Sequence, residues 1–199
     1  MLFRRGTKQP HGEDKSFVAY NGRPMIETVL AQVADLGEEL FIVTNNPEPY
    51  AYLAVPTVGD IFPDHGPLGG IHTAISHASH PHTLIVACDM PWLERPLLQY
   101  LISLRQTADV VVPLWDKFPE PLHAVYSKAC LPAIEENLKA KRLKITRFYG
   151  QVTVKYVKRE EIEAVGGTAV PLPTSTPPRP HPGAKRSQRL KNSQLQIFS

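Results

Sequence analysis

Apolar and polar positions along this chain follow two rhythms. Short runs rich in β-branched residues recur at LFIVT (40–44), TLIVAC (83–88), DVVVPL (109–114), LHAVYS (122–127) and VTVKYV (152–157), several of them apolar at consecutive positions. Continuous apolar strands, as opposed to alternating ones, suit a sheet covered on both faces. Between these runs the period lengthens. In PMIETVLAQVADLG (24–37) the residues Ile26, Val29, Leu30, Val33 and Leu36 share one helical face. Pro24 suits the first turn of that helix and Gly37 its end. LGGIHTAISHAS (68–79), RPLLQYLISLRQ (95–106) and KACLPAIEENLKAKR (128–142) read the same way, with Pro132 tolerable only near a helix start. Alternating strands and helices predict an α/β domain with a mostly parallel sheet and helices on both faces. Sheets of that kind bind ligands at the carboxyl ends of their strands, near a topological switch.

From about residue 171 the pattern is lost. Residues 171–199 hold six prolines, no acid and no sustained apolar period. That composition predicts a disordered tail following a domain over 1–170. The net charge of +3 then takes on a different meaning. Residues 1–12 carry three basic residues and residues 171–199 carry five, with no acid in either, so the body holds fourteen basic against nineteen acidic residues. The basicity belongs to the ends, which argues against a nucleic-acid groove on the body. No apolar run approaches the ~18 residues of a membrane span, and Met1–Gly12 lacks the apolar core of a secretory signal. Cys88 and Cys130 lie inside apolar segments without metal-binding spacing and read as core residues of a reducing, cytoplasmic compartment.

One position stands against the apolar pattern. The run Leu84–Cys88 ends in Asp89, and a carboxylate at the tip of a buried strand must be solvated, paired or bound to a cation. It serves either as a cap for the following segment or as a Mg²⁺ ligand beside nucleotide phosphates, since Mg²⁺ takes one or two carboxylates with phosphate oxygens and water. GPLGGI (66–71) opens the preceding helix, where glycines admit close backbone approach and free amides can receive an anion or a polar base edge. GEDKS (12–16) places Lys15 just after a glycine, and VGD (58–60) ends a short apolar piece in Asp60. Lys15 is either a solvated lysine or a phosphate ligand; Asp60 is either a turn residue or a reader of the guanine N1/N2 edge.

In this order and spacing, GEDKSFVAYNGRPMIE, FIVTNN, VGD, GPLGGI, ACDMPWL and PLHAVY resemble the bacterial molybdenum cofactor guanylyltransferase family over about residues 12–165. The resemblance implies a Rossmann-like, three-layer nucleotide-diphospho-sugar transferase fold. It also implies transfer of GMP from GTP to molybdopterin with release of pyrophosphate, and Mg²⁺ as cofactor. By the same resemblance Gly6, Gly12 and Lys15 would hold the GTP phosphates, Asp60 the guanine, and Asp89 both GTP and Mg²⁺. Asn45 or Asn46 would lie near the nucleotide. Gly66, Pro67, Leu68 and Gly69 would line the substrate, and His123 would lie on the pterin side unless it is a structural histidine of its strand.

The chain departs from the family at both ends. Where the family carries a loop like LAGGxSxRMGxDK, this chain reads FRRGTKQPHGEDK, and where the family carries N-x-N-T-P it reads PTSTP (173–177). Shifted by one base, the codons of Arg4–Gly12 can encode A-G-G-x-S-S-R-M, and those of PTSTP, read from each third base, can encode N-V-N-T. Both ends then read as out of frame; the alternative is a divergent paralogue with a disordered tail. The rival functions are a molybdopterin cytidylyltransferase, a non-catalytic remnant of the fold and, more distantly, an RNA-binding protein. The last is opposed by a tail without interleaved aromatics.

Overall fold

A computed structural model describes residues 15–167 and 195–198. After a 3-10 turn at Lys15–Phe17, the chain forms a small hairpin, β1 (Ala19–Tyr20) and β2 (Arg23–Pro24), and enters α1 (Met25–Val33). It continues through β3 (Leu40–Val43), β4 (Thr57–Val58), α2 (Gly66–His77), β5 (His82–Ala87) and α3 (Arg95–Ser103). Next come β6 (Val110–Trp115), β7 (Phe118–Pro119), β8 (His123–Ser127), α4 (Leu131–Lys139), β9 (Val154–Val157), α5 (Arg159–Ala164) and β10 (Leu195–Phe198).

Eight strands form one sheet in the order β4-β3-β10-β5-β8-β6-β7, with β9 also paired to β6. The five strands β3, β4, β5, β6 and β9 run in one direction, as the sequence pattern requires. The layout is nonetheless not fully parallel, because β8 lies antiparallel between β5 and β6, and β10 antiparallel between β3 and β5. The reversal of β8 follows from its connection. Too few residues separate β6 from β8 for a helical crossover, so the chain folds back through the β6–β7 hairpin.

The continuous apolar runs are explained by the two cores that they separate. On one face Ile85, Ala87, Val110, Val112, Ala124 and Tyr126 pack with Leu68, Ile71 and Ile75 of α2 and with Ile134 and Leu138 of α4. On the other, the intervening Leu84, Val86, Val111 and Val125 meet Val29 and Val33 of α1, Leu97, Leu98 and Leu101 of α3, and Ile162 of α5. Each fully buried Leu, Ile or Val contributes about 1.5–3 kcal/mol; Thr83 of β5 and His123 of β8 depart from the apolar pattern, their Oγ1 and Nε2 buried without a hydrogen-bond partner among the described residues. Both cysteines are free thiols within this interior, and burial pushes Cys130 up to about 12.

The expectation of disorder over 171–199 meets a strand at Leu195–Phe198, which joins β3 to β5 in the middle of the sheet. The rest of the tail, PTSTP included, lies outside the described residues, as do Gly6 and Gly12. No helix among the described residues is long and apolar enough to cross a membrane.

Candidate active site at the carboxyl ends of β3, β4 and β5

Of the predicted site residues, Asp60 and Asp89 follow the ends of β4 and β5, Gly66–Gly69 open α2, and His123 opens β8 beside Val86 of β5. Two hydrogen bonds first join β3 to β4: Ile42 N–H to Pro56 C=O at 2.9 Å, and Thr44 N–H to Val58 C=O at 2.8 Å. Just beyond them, the Asn45 side-chain oxygen accepts the backbone N–H of Asp60 at 2.8 Å. Asn46 instead turns back on its own strand, its N–H donating to Thr44 Oγ1 at 3.2 Å. Of the two asparagines, Asn45 is therefore the one that couples the strand ends.

Asp60 is tied to α2. Its Oδ1 accepts the Thr73 hydroxyl at 2.6 Å and the Phe62 N–H at 3.2 Å. Thr73, fully buried, also accepts the N–H of Ile61 at 2.9 Å. Oδ2 is buried and has no hydrogen-bond partner among the described residues. Burial raises the carboxyl above its ordinary range, and the bonds from Thr73 and Phe62 pull it back. A buried acceptor without a donor is costly, so a ligand N–H brought to Oδ2 would remove a cost already present.

The glycines of GPLGGI divide by role. Gly66 takes a left-handed φ of +65° to start α2, and Pro67 occupies the first turn, where its missing N–H is no loss. Leu68 faces the core. At Gly69 the close approach comes from protein: a Cβ there would stand 2.9 Å from the Phe62 carbonyl oxygen and 3.3 Å from Asp60 Oδ2. This glycine seats the 60–65 loop on α2. The helix has no acid in its first turn; the nearby carboxylate is that of Asp60, set against Gly69, where the positive end of the dipole favours a negative charge.

The segment that begins at Lys15 and the turn that carries Asp89 both adjoin a third apolar cluster. Ser16 is 1% exposed, and its hydroxyl lies 3.1 Å from that of Tyr50. Phe17 packs against Tyr50 with the rings tilted, at a centroid distance of 5.1 Å. Tyr50 in turn packs with Ile26, Ile42 and Cys88. Lys15 precedes one anchor of this cluster and Asp89 follows another, so both are brought to the same end of the sheet. Asp89 occupies the turn after β5, partly exposed. Among the described residues no group of three or more His, Cys, Asp or Glu is arranged to hold a metal ion. A cation at Asp89 would thus depend on ligand oxygens, which is how Mg²⁺ is usually held beside phosphates.

On the other side of β5 lies a carboxylate missed by the sequence reading. Glu120 precedes a turn closed by the His123 N–H on its carbonyl at 3.1 Å, and its own N–H donates to Pro113 at 3.0 Å. Ala87 N–H donates to Leu122 C=O at 3.0 Å, bringing this turn alongside the end of β5. Burial chiefly raises the Glu120 carboxyl, and the charge of Asp89 raises it further, against a hydrogen bond from the Leu122 N–H. The only sequence signal was an acid three residues ahead of His123, inside a loop rich in proline. His123 itself is 8% exposed, its Nε2 has no partner among the described residues, and burial lowers its pKa to about 4. It is neutral at physiological pH.

Comparison with known proteins identifies the family and the fold. The family profile described as the MobA-like NTP transferase domain matches residues 5–154. A relative in Pelotomaculum thermopropionicum, named a probable molybdenum cofactor guanylyltransferase, is 34% identical over 85% of this chain and 83% of its own length. Another of the same name in Clostridium perfringens is 34% identical over 63% of this chain, which spans 63% of that relative's length. The solved structure of molybdopterin-guanine dinucleotide biosynthesis protein A from Archaeoglobus fulgidus superimposes with a TM-score of 0.64 at 24% identity, covering 75% of this chain and 77% of that one.

Proposed function

Because this chain belongs to the MobA-like NTP transferase domain family, we propose that it transfers GMP from GTP to molybdopterin and releases pyrophosphate. The observation carrying this reading is that Asn45, Asp60 and Asp89 all follow the carboxyl ends of the co-directional strands β3, β4 and β5, with the segment that begins at Lys15 fastened to the same cluster as Cys88. The names of the 34% identical relatives supply the substrate pair. A cytoplasmic location belongs to the same proposal, since the reaction consumes GTP.

The chemistry is attack by a phosphate oxygen of molybdopterin on the α-phosphorus of GTP. Such a displacement asks for charge neutralisation and in-line positioning more than for a protein nucleophile. Mg²⁺, when bound, would offset the charge of the triphosphate and polarise the reacting phosphoryl group. Asp89 would hold it, with Lys15 as a cationic clamp on the phosphates. The amides opening α2 offer a complementary positive end. Asp60 would read the base, because a carboxylate accepts from the adjacent N1–H and N2–H₂ of guanine, a pair that cytosine does not present.

The altered stretch FRRGTKQPHG fits the same reading as a phosphate loop displaced from its frame, and restoring one base near codon 12 would return its glycines and arginine. Calorimetric titration with GTP and CTP tests the base assignment. GTP should bind in preference to CTP, and Asp60→Ala should cost about 2–4 kcal/mol of GTP binding, the worth of a charged bidentate pair. Unchanged GTP affinity in Asp60→Ala would remove this residue from the site, and a preference for CTP would replace the guanylyl assignment by a cytidylyl one.

A further inference from the structure

We propose that Glu120 binds the acceptor substrate, receiving the paired N–H donors of its aminopyrimidinone ring edge. This rests on the assignment of molybdopterin as acceptor and adds a residue that recognises it.

The sheet order separates two sides of the site. Asn45, Asp60 and the start of α2 belong to β3, β4 and the helix that follows them, on one side of β5. A nucleotide read by Asp60 fills that side as far as Asp89. The second substrate must reach the same phosphorus from the other side, over the turn joining the β6–β7 hairpin to β8. Glu120 is the ionisable group in that turn, and its carboxyl senses the charge of Asp89.

Glu120 has the properties of a recognition residue. Its backbone is fixed on both sides, by the bond from its N–H to Pro113 and by the bond that its carbonyl accepts from His123. Its side chain is half-buried and forms no ion pair with any described residue. One donor, the Leu122 N–H, reaches the carboxylate, whereas two carboxylate oxygens offer about four acceptor sites. The surroundings are aromatic: Tyr126 donates to the Pro121 carbonyl at 2.7 Å and lies 3.0 Å from the Tyr149 hydroxyl. A half-buried anion with spare acceptor capacity favours a flat, donor-rich partner. It would repel the acceptor's phosphate, so it must meet the opposite end of that molecule. The pterin ring carries a ring N–H beside an exocyclic amine, the geometry that a carboxylate binds with both oxygens.

The test compares Glu120→Gln with the parent chain. Glutamine keeps the shape but turns one acceptor into a donor. It also relieves the cost of burying a charge, so the variant should melt no lower than the parent. The KM for molybdopterin at saturating GTP should rise about ten- to a hundredfold, the loss expected for a hydrogen bond to a charged group. The Kd for GTP by calorimetry and the Mn²⁺ affinity by electron paramagnetic resonance should stay unchanged. Glu120→Asp, which keeps the charge with a shorter reach, should fall between the two. An unchanged KM for molybdopterin in Glu120→Gln would overturn the proposal. So would weakened Mn²⁺ or GTP binding with pterin affinity intact, which would place Glu120 on the metal and nucleotide side instead. A parent chain that binds GTP but not molybdopterin would instead overturn the functional assignment, and this inference with it.

Discussion

Thr73→Val probes the link between Asp60 and the body of the protein. The substitution is close to isosteric, and residue 73 is fully buried, so packing changes little while the hydroxyl is removed. Two hydrogen bonds are lost. One is the 2.6 Å bond to Asp60 Oδ1 and the other is the 2.9 Å bond accepted from Ile61 N–H. A bond to a charged group contributes about 1.5–3 kcal/mol and a neutral one about 0.5–1.5 kcal/mol. The expected destabilisation is therefore about 2–4 kcal/mol, a large share of the stability of an ordinary domain. Urea denaturation should show a lower midpoint with an unchanged slope. Combining it with Asp60→Asn isolates the pair: the double variant should be less destabilised than the two singles summed, by roughly 0.5–3 kcal/mol. A loss below about 0.5 kcal/mol for Thr73→Val, or strict additivity with Asp60→Asn, would show that this network does not hold the loop.

Two further outcomes are expected. Gly69→Ala should destabilise, since a Cβ 2.9 Å from the Phe62 carbonyl forces the loop to move, at about 1–3 kcal/mol, against a helix-propensity gain of about 1 kcal/mol. Gly150→Ala, whose Cβ meets nothing within 4 Å, is the control in thermal melts, and a Gly69→Ala protein stabilised by the full helix-propensity gain of about 1 kcal/mol would contradict the role assigned to that glycine. The second concerns His123, held neutral with its pKa lowered from 6.5 to about 4. The unfolded chain takes up this proton first, so stability is complete above about pH 6.5 and falls as pH drops toward 4. The loss is on the order of 3 kcal/mol below that. His123→Leu should flatten this part of the pH–stability curve; an unchanged curve would mean that other groups set the acid sensitivity.

The positions of the strands were legible because both faces of the sheet are covered. An unbroken apolar run such as Leu84–Cys88 announces its burial and its end, and the charge that follows it lies in the turn after β5. Direction and register were not legible in the same way. LHAVYS looks like any other buried strand, and only the short return through the β6–β7 hairpin makes β8 antiparallel. Glu120 was missed for that reason: its approach to Asp89 comes from strand pairing, which no local pattern encodes. LQIF escaped notice because four residues with period two cannot outweigh an acid-free, proline-rich context. Gly69 was legible as a site of close approach, though the approaching group is the Phe62 carbonyl. Gly6 and Gly12 remain with the sequence reading that proposed them.

The central claim is most directly tested by product formation. The chain with its phosphate loop restored by one base near codon 12 would be incubated with GTP, Mg²⁺ and molybdopterin, beside the same chain carrying Asp89→Asn. The parent should release pyrophosphate and yield the guanine dinucleotide form of the cofactor. Asp89→Asn should fold normally and yield neither. Near-normal turnover by Asp89→Asn, or pyrophosphate release by the parent with CTP but not with GTP, would contradict the account.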